Sequence, residues 1–138
     1  METFWTNHLN ARLSYARQEV EDRTTHKTLS DSPAHLVKLN LTVPVMPDKL
    51  FANLESQYTS ERLMLTPLAR PIVDPHAGAF GVLNFTLFSH NLVKGLDLSA
   101  GVYNLLDKKY SDPATPFHQQ DLIAQNGRTF RVKLTYRF

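Results

Sequence analysis

Thr129-Phe-Arg-Val-Lys-Leu-Thr-Tyr-Arg-Phe138 is the stretch on which the fold turns. Phe130, Val132, Leu134, Tyr136 and Phe138 alternate with Thr129, Arg131, Lys133, Thr135 and Arg137. Side chains of a strand point alternately to opposite faces, so one face here is wholly apolar and the other wholly polar. A transmembrane strand takes about 9–11 residues and, set between lipid and a wet lumen, demands this alternation. Slipping the phase by one residue would turn Arg131, Lys133 and Arg137 toward lipid, at roughly 2–4 kcal/mol each near the midplane and less near the interface. The register is therefore firmly set. The same alternation marks a half-buried strand of a soluble β-sandwich, and on this feature alone both readings stand.

Five segments upstream repeat the pattern. In the first, Leu9, Ala11, Leu13 and Tyr15 alternate with Asn10, Arg12, Ser14 and Ala16, with the strand running on toward Val20. The charged stretch from Glu21 to Lys27 and Ser30-Asp-Ser-Pro33 then read as a loop. The second sets Val37, Leu39, Leu41, Val43 and Val45 against Lys38, Asn40 and Thr42, and Pro47-Asp48-Lys49 makes a tight turn. The third sets Leu50, Ala52, Leu54 and Tyr58 against Asn53, Glu55, Gln57 and Thr59. From Ser60 to His76 a long loop carries Pro67, Pro71 and Pro75, which lack the ladder donor.

The fourth strand, Ala79 to Phe88, places Gly81, Leu83, Phe85 and Leu87 outward and Asn84 and Thr86 inward, with Phe80, Val82 and Phe88 blurring its pattern. A compact turn from His90 to Gly95 leads to the fifth, where Leu96, Leu98, Ala100 and Val102 alternate with Asp97, Ser99, Gly101 and Tyr103. Asn104 to Asn126 is the third long loop. Loops thus alternate long and short, the asymmetry of outer-membrane barrels, whose extracellular loops are long and periplasmic turns short. The last strand then descends to the periplasmic side. Trp5, Tyr58, Tyr110 and Tyr136, near strand ends, are candidates for interfacial girdles.

Composition narrows the classes of function. The 138 residues have the length of one domain and contain no cysteine, so neither a disulfide framework nor a cysteine zinc site is available. A net charge of +2 and a pI near 9.0 are spread along strands rather than gathered in a patch, which argues against nucleic acid. No apolar run approaches the ~18 residues of a membrane helix, a scan that barrels defeat. Met-Glu-Thr-Phe-Trp-Thr-Asn-His8 has no secretory signal pattern, so the export signal is expected in sequence upstream.

Leu98-Ser-Ala-Gly-Val-Tyr-Asn-Leu-Leu-Asp-Lys-Lys-Tyr-Ser-Asp-Pro113, followed by Gly127-Arg-Thr-Phe into the terminal strand, resembles the closing segment of TonB-dependent receptors. Asp31-Ser-Pro-Ala-His35 leading into an apolar strand fits the same family. The final Leu134, Tyr136 and Phe138 resemble the C-terminal signal by which the barrel-assembly machinery recognises outer-membrane proteins. With that resemblance the chain is expected to be all-β, an antiparallel six-stranded meander, open and incomplete, in which residues 1–138 form the C-terminal part of a Gram-negative outer-membrane β-barrel, without plug domain or signal peptide. The resemblance implies uptake of a scarce solute such as a ferric siderophore, haem or cobalamin. Its partners would be outer-membrane lipid, the barrel-assembly machinery, the remaining strands and plug, and TonB through them.

Such receptors have about 22 strands and a plugged lumen, whereas six strands fall short of the roughly eight that close a small barrel. The chain is accordingly expected to be a fragment that does not transport alone. Two rivals remain: a soluble β-sandwich binding module, and a small barrel subunit completed by oligomerisation.

The residues offer little chemistry. Six histidines suggest metal, but neither His118 with Asp121 nor His76 with Asp74 has a recognised ligand spacing. Glu55 and Asp97 face the lumen on different strands, and no nucleophile elbow or phosphate loop occurs. No catalytic, cofactor or metal site is expected. Asn104, Asp107 and Gly127 read as structural, the first two bonding local backbone and the glycine ending the loop where φ is unusual. His118, Gln119, Gln120 and Asp121 are the candidate loop residues for a ligand.

Overall fold

A computed structural model describes residues 9–19, 31–64, 76–114 and 120–138. Ten strands form among them: β1 (Asn10–Arg17), β2 (His35–Met46), β3 (Leu50–Thr59), β4 (Arg62–Leu63), β5 (His76–Ala77), β6 (Phe80–Ser89), β7 (Leu96–Tyr103), β8 (Ser111–Pro113), β9 (Leu122–Ala124) and β10 (Thr129–Tyr136). Six of them make one antiparallel sheet in the order β1-β2-β3-β6-β7-β10, a meander not closed into a barrel. No helix occurs among the described residues. The strand expected to approach Val20 ends at Arg17, and Val20 lies outside the described residues.

Register carries the alternation of each strand across the whole sheet. Leu13 pairs with Leu39, Leu41 with Leu54, Leu54 with Phe85, Phe85 with Val102 and Val102 with Phe130. One face is thereby apolar from edge to edge. It stays exposed, with Leu13, Leu39, Val43, Phe85, Val132 and Leu134 among its uncovered side chains and no second layer among the described residues. The opposite face pairs Arg12 with Asn40, Asn40 with Glu55, and Glu55 with Asn84. Asn40 Nδ2 donates to Glu55 Oε1 at 3.0 Å and Thr42 Oγ1 to Asn53 Oδ1 at 3.0 Å, so the polar face is partly knit to itself.

Short connections close one end. At Pro47-Asp48-Lys49, Asp48 takes φ 60° and the Lys49 amide donates to the Met46 carbonyl at 3.1 Å. In the second turn Asn91 and Gly95 have φ 49° and 77°. Pro44 lies past the last β1–β2 pair, Asn10 with Thr42, and beside an irregularity before Met46, where a missing donor is tolerated.

The long connections are not wholly irregular. Arg62–Leu63 pairs with His76–Ala77, and Ser111–Pro113 with Leu122–Ala124. The segments that pair carry none of the prolines at 67, 71 and 75, which lie outside the described residues.

Candidate functional site

The aromatic residues that blur the strand patterns explain themselves on the polar face. At the turn end Phe51 stacks on Phe88 with centroids 5.3 Å apart and is only 2% exposed. At the loop end Phe80 stacks on Tyr110 at 4.1 Å. The polar face is therefore bounded at both ends by aromatic pairs, each with one buried member, Phe51 or Phe80. Tyr110 is not on the apolar face where a girdle would need it, whereas Tyr58 and Tyr136 do lie there, toward opposite ends. Trp5 lies outside the described residues.

Between these pairs runs a hollow of about 400 Å³ lined by Arg12, Lys38, Asn40, Glu55, Gln57 and Asn84. Farther along the same face, Arg131 lies 5.2 Å from the Tyr103 ring, and Lys133 adds another cation beside it. Tyr103 leans back over Gly101, where an added Cβ would meet its ring at 3.3 Å and Thr86 Oγ1 at 3.1 Å. Glu55 is held by Asn40, while Asp97 sits at the turn end against Arg137, His90 and the Asn91 amide, so the two carboxylates do not form a pair.

The loop end is organised by Arg62, which nothing in the periodicity marks. Its side chain is 9% exposed. Nη1 donates to Asp31 Oδ1 at 3.3 Å, and Nη2 to Asp112 Oδ1 at 2.6 Å and the Ser111 carbonyl at 3.2 Å. Its guanidinium carbon lies 5.4 Å from the Phe80 ring. Nε has no acceptor among the described residues. Asp31, Arg62 and Asp112 belong to three different long connections, so one cation joins all three. The Asp31 amide adds a bond of 2.8 Å to the Leu63 carbonyl. A lone arginine between two prolineless flanks gives no sequence signal, and its partners stand 31 and 50 positions away.

Asn104 and Asp107 bind local backbone as their residue types suggest. Asn104 is buried with φ 51°; Nδ2 donates to the Lys108 and Asn126 carbonyls at 2.9 and 3.2 Å, and Oδ1 accepts the Lys108 amide at 2.8 Å. Asp107 accepts the Arg128 amide at 2.8 Å and the Lys109 ammonium at 3.2 Å. That amide and that ammonium hold the Asp107 carboxyl below the usual carboxylate range. Gly127 needs to be glycine for a different reason from the one expected: its φ is not positive, but a Cβ there would sit 2.5 Å from Asp107 Oδ1 and 2.9 Å from Lys109 Nζ.

Of the candidate ligand residues, His118 and Gln119 lie outside the described residues, and Gln120 and Asp121 stand just before β9, where the Asp121 carbonyl accepts the Ala114 amide at 3.0 Å. Asp74 also lies outside them, and His76 is in β5. Among the described residues no group of three or more metal-ligating side chains is assembled. Leu134 and Tyr136 point outward from the edge strand β10, with Phe138 just beyond it and fully exposed.

No protein-family model matches the chain, and no curated protein matches it in sequence. Solved structures do. The ferric-catecholate import receptor Fiu from E. coli K12, in its closed form, superposes with a TM-score of 0.75 over 96% of this chain at 18% identity. The unliganded ferric citrate transporter FecA superposes with 0.77 over 94% at 19% identity. The ferripyoverdine receptor of the outer membrane of Pseudomonas aeruginosa, bound to ferripyoverdine, gives 0.73 over 97% at 13% identity. The chain spans about a fifth of the length of each: 19%, 21% and 18%. The likeness shows the fold: an open six-stranded antiparallel sheet that matches a section of the β-barrel wall of these receptors.

Proposed function

We propose that the chain is the C-terminal section of the barrel wall of a TonB-dependent outer-membrane receptor. Its apolar face meets lipid, its polar face lines the lumen, and its three long loops face the exterior to help capture a scarce solute. The observation that carries this reading is the two-faced meander itself, with short turns at one end and long loops at the other, congruent with receptor walls over 94–97% of its length. A sheet with one uncovered apolar face needs an apolar neighbour, and lipid supplies one along every strand at once.

The solute belongs to the class of ferric siderophores, haem or cobalamin. The ferric catecholate, ferric citrate and ferripyoverdine for which Fiu, FecA and the ferripyoverdine receptor are named, all iron chelates, support the first of these. His118, Gln119, Gln120 and Asp121 are proposed to contribute to capture, because long connections on a rigid sheet are where binding residues gather. Energy reaches the site from TonB through the rest of the receptor. Leu134, Tyr136 and Phe138 are proposed as the signal read by the barrel-assembly machinery, a role favoured by their outward position on an edge strand.

Fractionation of the cells that make the protein tests the reading. The full chain is expected in the outer membrane, released by detergent and retained through alkaline carbonate. Recovery in buffer without detergent would sink the barrel and leave a β-sandwich module in its place.

A further inference from the structure

We propose that Arg62 is a positioning residue that holds the three long loops as one body. The loop between β1 and β2 supplies Asp31, the loop between β3 and β6 supplies Arg62 itself, and the loop between β7 and β10 supplies Ser111 and Asp112. None of these contacts is local in sequence. Among the described residues, the Asp31–Leu63 backbone bond also ties the first loop to the second, β5 meets β8 between the second and third, and the third is fastened to β6 by the Leu105 and Asn104 amides and the stack of Phe80 on Tyr110; Arg62 is the side chain that bonds to both other loops at once.

The chemistry of guanidinium suits the task. Three acceptors from two loops are met by two nitrogens of one planar fork, at 3.3, 2.6 and 3.2 Å, while the flat face lies toward Phe80. A lysine ammonium carries the same charge but has no fork and stacks less well, so it reaches fewer of these partners together. Both carboxylates are partly open to water, Asp31 at 61% and Asp112 at 37%, whereas the cation is buried. Removing the cation frees two carboxylates that solvent will accept; removing one carboxylate leaves a buried charge less well matched. Disturbance at Asp112 therefore passes through Arg62 to Asp31. On the receptor reading, on which this consequence rests, a solute that touches one loop meets a surface set by all three.

Hydrogen exchange on the full chain in its own membrane tests the coupling without any solute. The amide of Asp31 reports the first two loops, those of Ala114 and Gln125 report the third, and that of Leu54 reports the sheet. R62Q is expected to speed exchange about tenfold at all three loop reporters, since it removes the charge-assisted bonds that join the loops, each worth about a factor of ten or more, and to leave Leu54 unchanged. R62K is expected to act in the same direction. D112N is expected to speed exchange at Asp31, a residue that Asp112 does not touch. If the effect of R62Q stays within residues 62–64, or D112N leaves the Asp31 amide at its original rate, the clamp is overturned. Should R62Q fail to assemble, seen as lost protection at Leu54, D112N decides alone. Recovery of the protein in detergent-free buffer would defeat the receptor reading while leaving this outcome to stand by itself.

Discussion

At the turn end of the sheet, Asp48 and Gly95 reverse the chain within a few residues by adopting positive φ; at the loop end, Arg62 reaches partners 31 and 50 positions away. At the turn end each reversal is set by backbone geometry of its own, and neighbouring elements are joined by backbone bonds, as where the His90 amide donates to the Lys49 carbonyl at 2.8 Å. Gly95 donates its amide to Asn91 Oδ1 at 3.3 Å, and its carbonyl accepts the Arg137 amide at 2.8 Å. The loop end is closed by side chains that meet only when strands far apart in sequence are already in register. A defect at the turn end should therefore remain among the turns and the strand end bonded to them, whereas a defect at the loop end should spread between loops.

Both ends hang on the same two-faced middle, and the largest expected effect tests that. Leu54→Arg sets a cation on the apolar face halfway along β3, at a cost of roughly 2–4 kcal/mol in a bilayer, read by urea titration of the inserted chain. Asn53→Arg points the other way and forfeits only the bond from Thr42, about 1 kcal/mol. Equal costs would mean that the faces are not lipid and lumen, and the two ends would lose their meaning as outside and inside.

Gly95→Ala comes next. A Cβ at φ 77° is strained and would run into the Arg137 carbonyl, for about 2–3 kcal/mol. Exchange should rise at the amides of Leu96 and Arg137 and stay unchanged at Asp31. A rise at Asp31 would show the two ends to be coupled and break the contrast. Asn104→Ala, at the loop end, removes two donated bonds and one accepted bond, for about 1–2 kcal/mol by thermal or urea unfolding. Its disturbance is expected to reach Arg128 and Tyr110 amides along with Lys108.

The contrast also explains what could be read from residues alone. Strand phase, the two short turns and the order of the meander follow from patterns within about ten residues, because a strand fixes its own faces and a turn its own φ values. The aromatic exceptions were visible as exceptions: Phe80 and Phe88 break the inward pattern of β6, but only register shows that Phe51 stands opposite Phe88. The need for glycine at 127 shows in its place at the end of a loop, but its cause does not, since crowding by Asp107 is a contact across 20 residues and not a local dihedral. Arg62 was not legible at all. A single arginine in Ser60-Glu-Arg-Leu-Met64 has no period, and its meaning comes from Asp31 and Asp112 arriving beside it.

The smallest expected effect separates the ends by pH. Asp107 titrates below the usual carboxylate range because the Arg128 amide and Lys109 favour its ionised form. A carboxyl with a lowered folded-state pKa binds fewer protons folded than unfolded, so its contribution is complete above the ordinary carboxylate pKa and is lost as pH falls through the lowered value. The clasp between Asp107 and Arg128 at the loop end should therefore loosen only in strong acid, seen as a downfield-to-upfield shift of the Arg128 amide proton as its acceptor is protonated. Asp107→Asn should remove that titration and leave the Lys49 and Arg137 amides of the turn end as they were, because their acceptors are backbone carbonyls that do not titrate. An Arg128 amide that follows the original titration in Asp107→Asn would assign the acceptor to another group and dissolve this last difference between the ends.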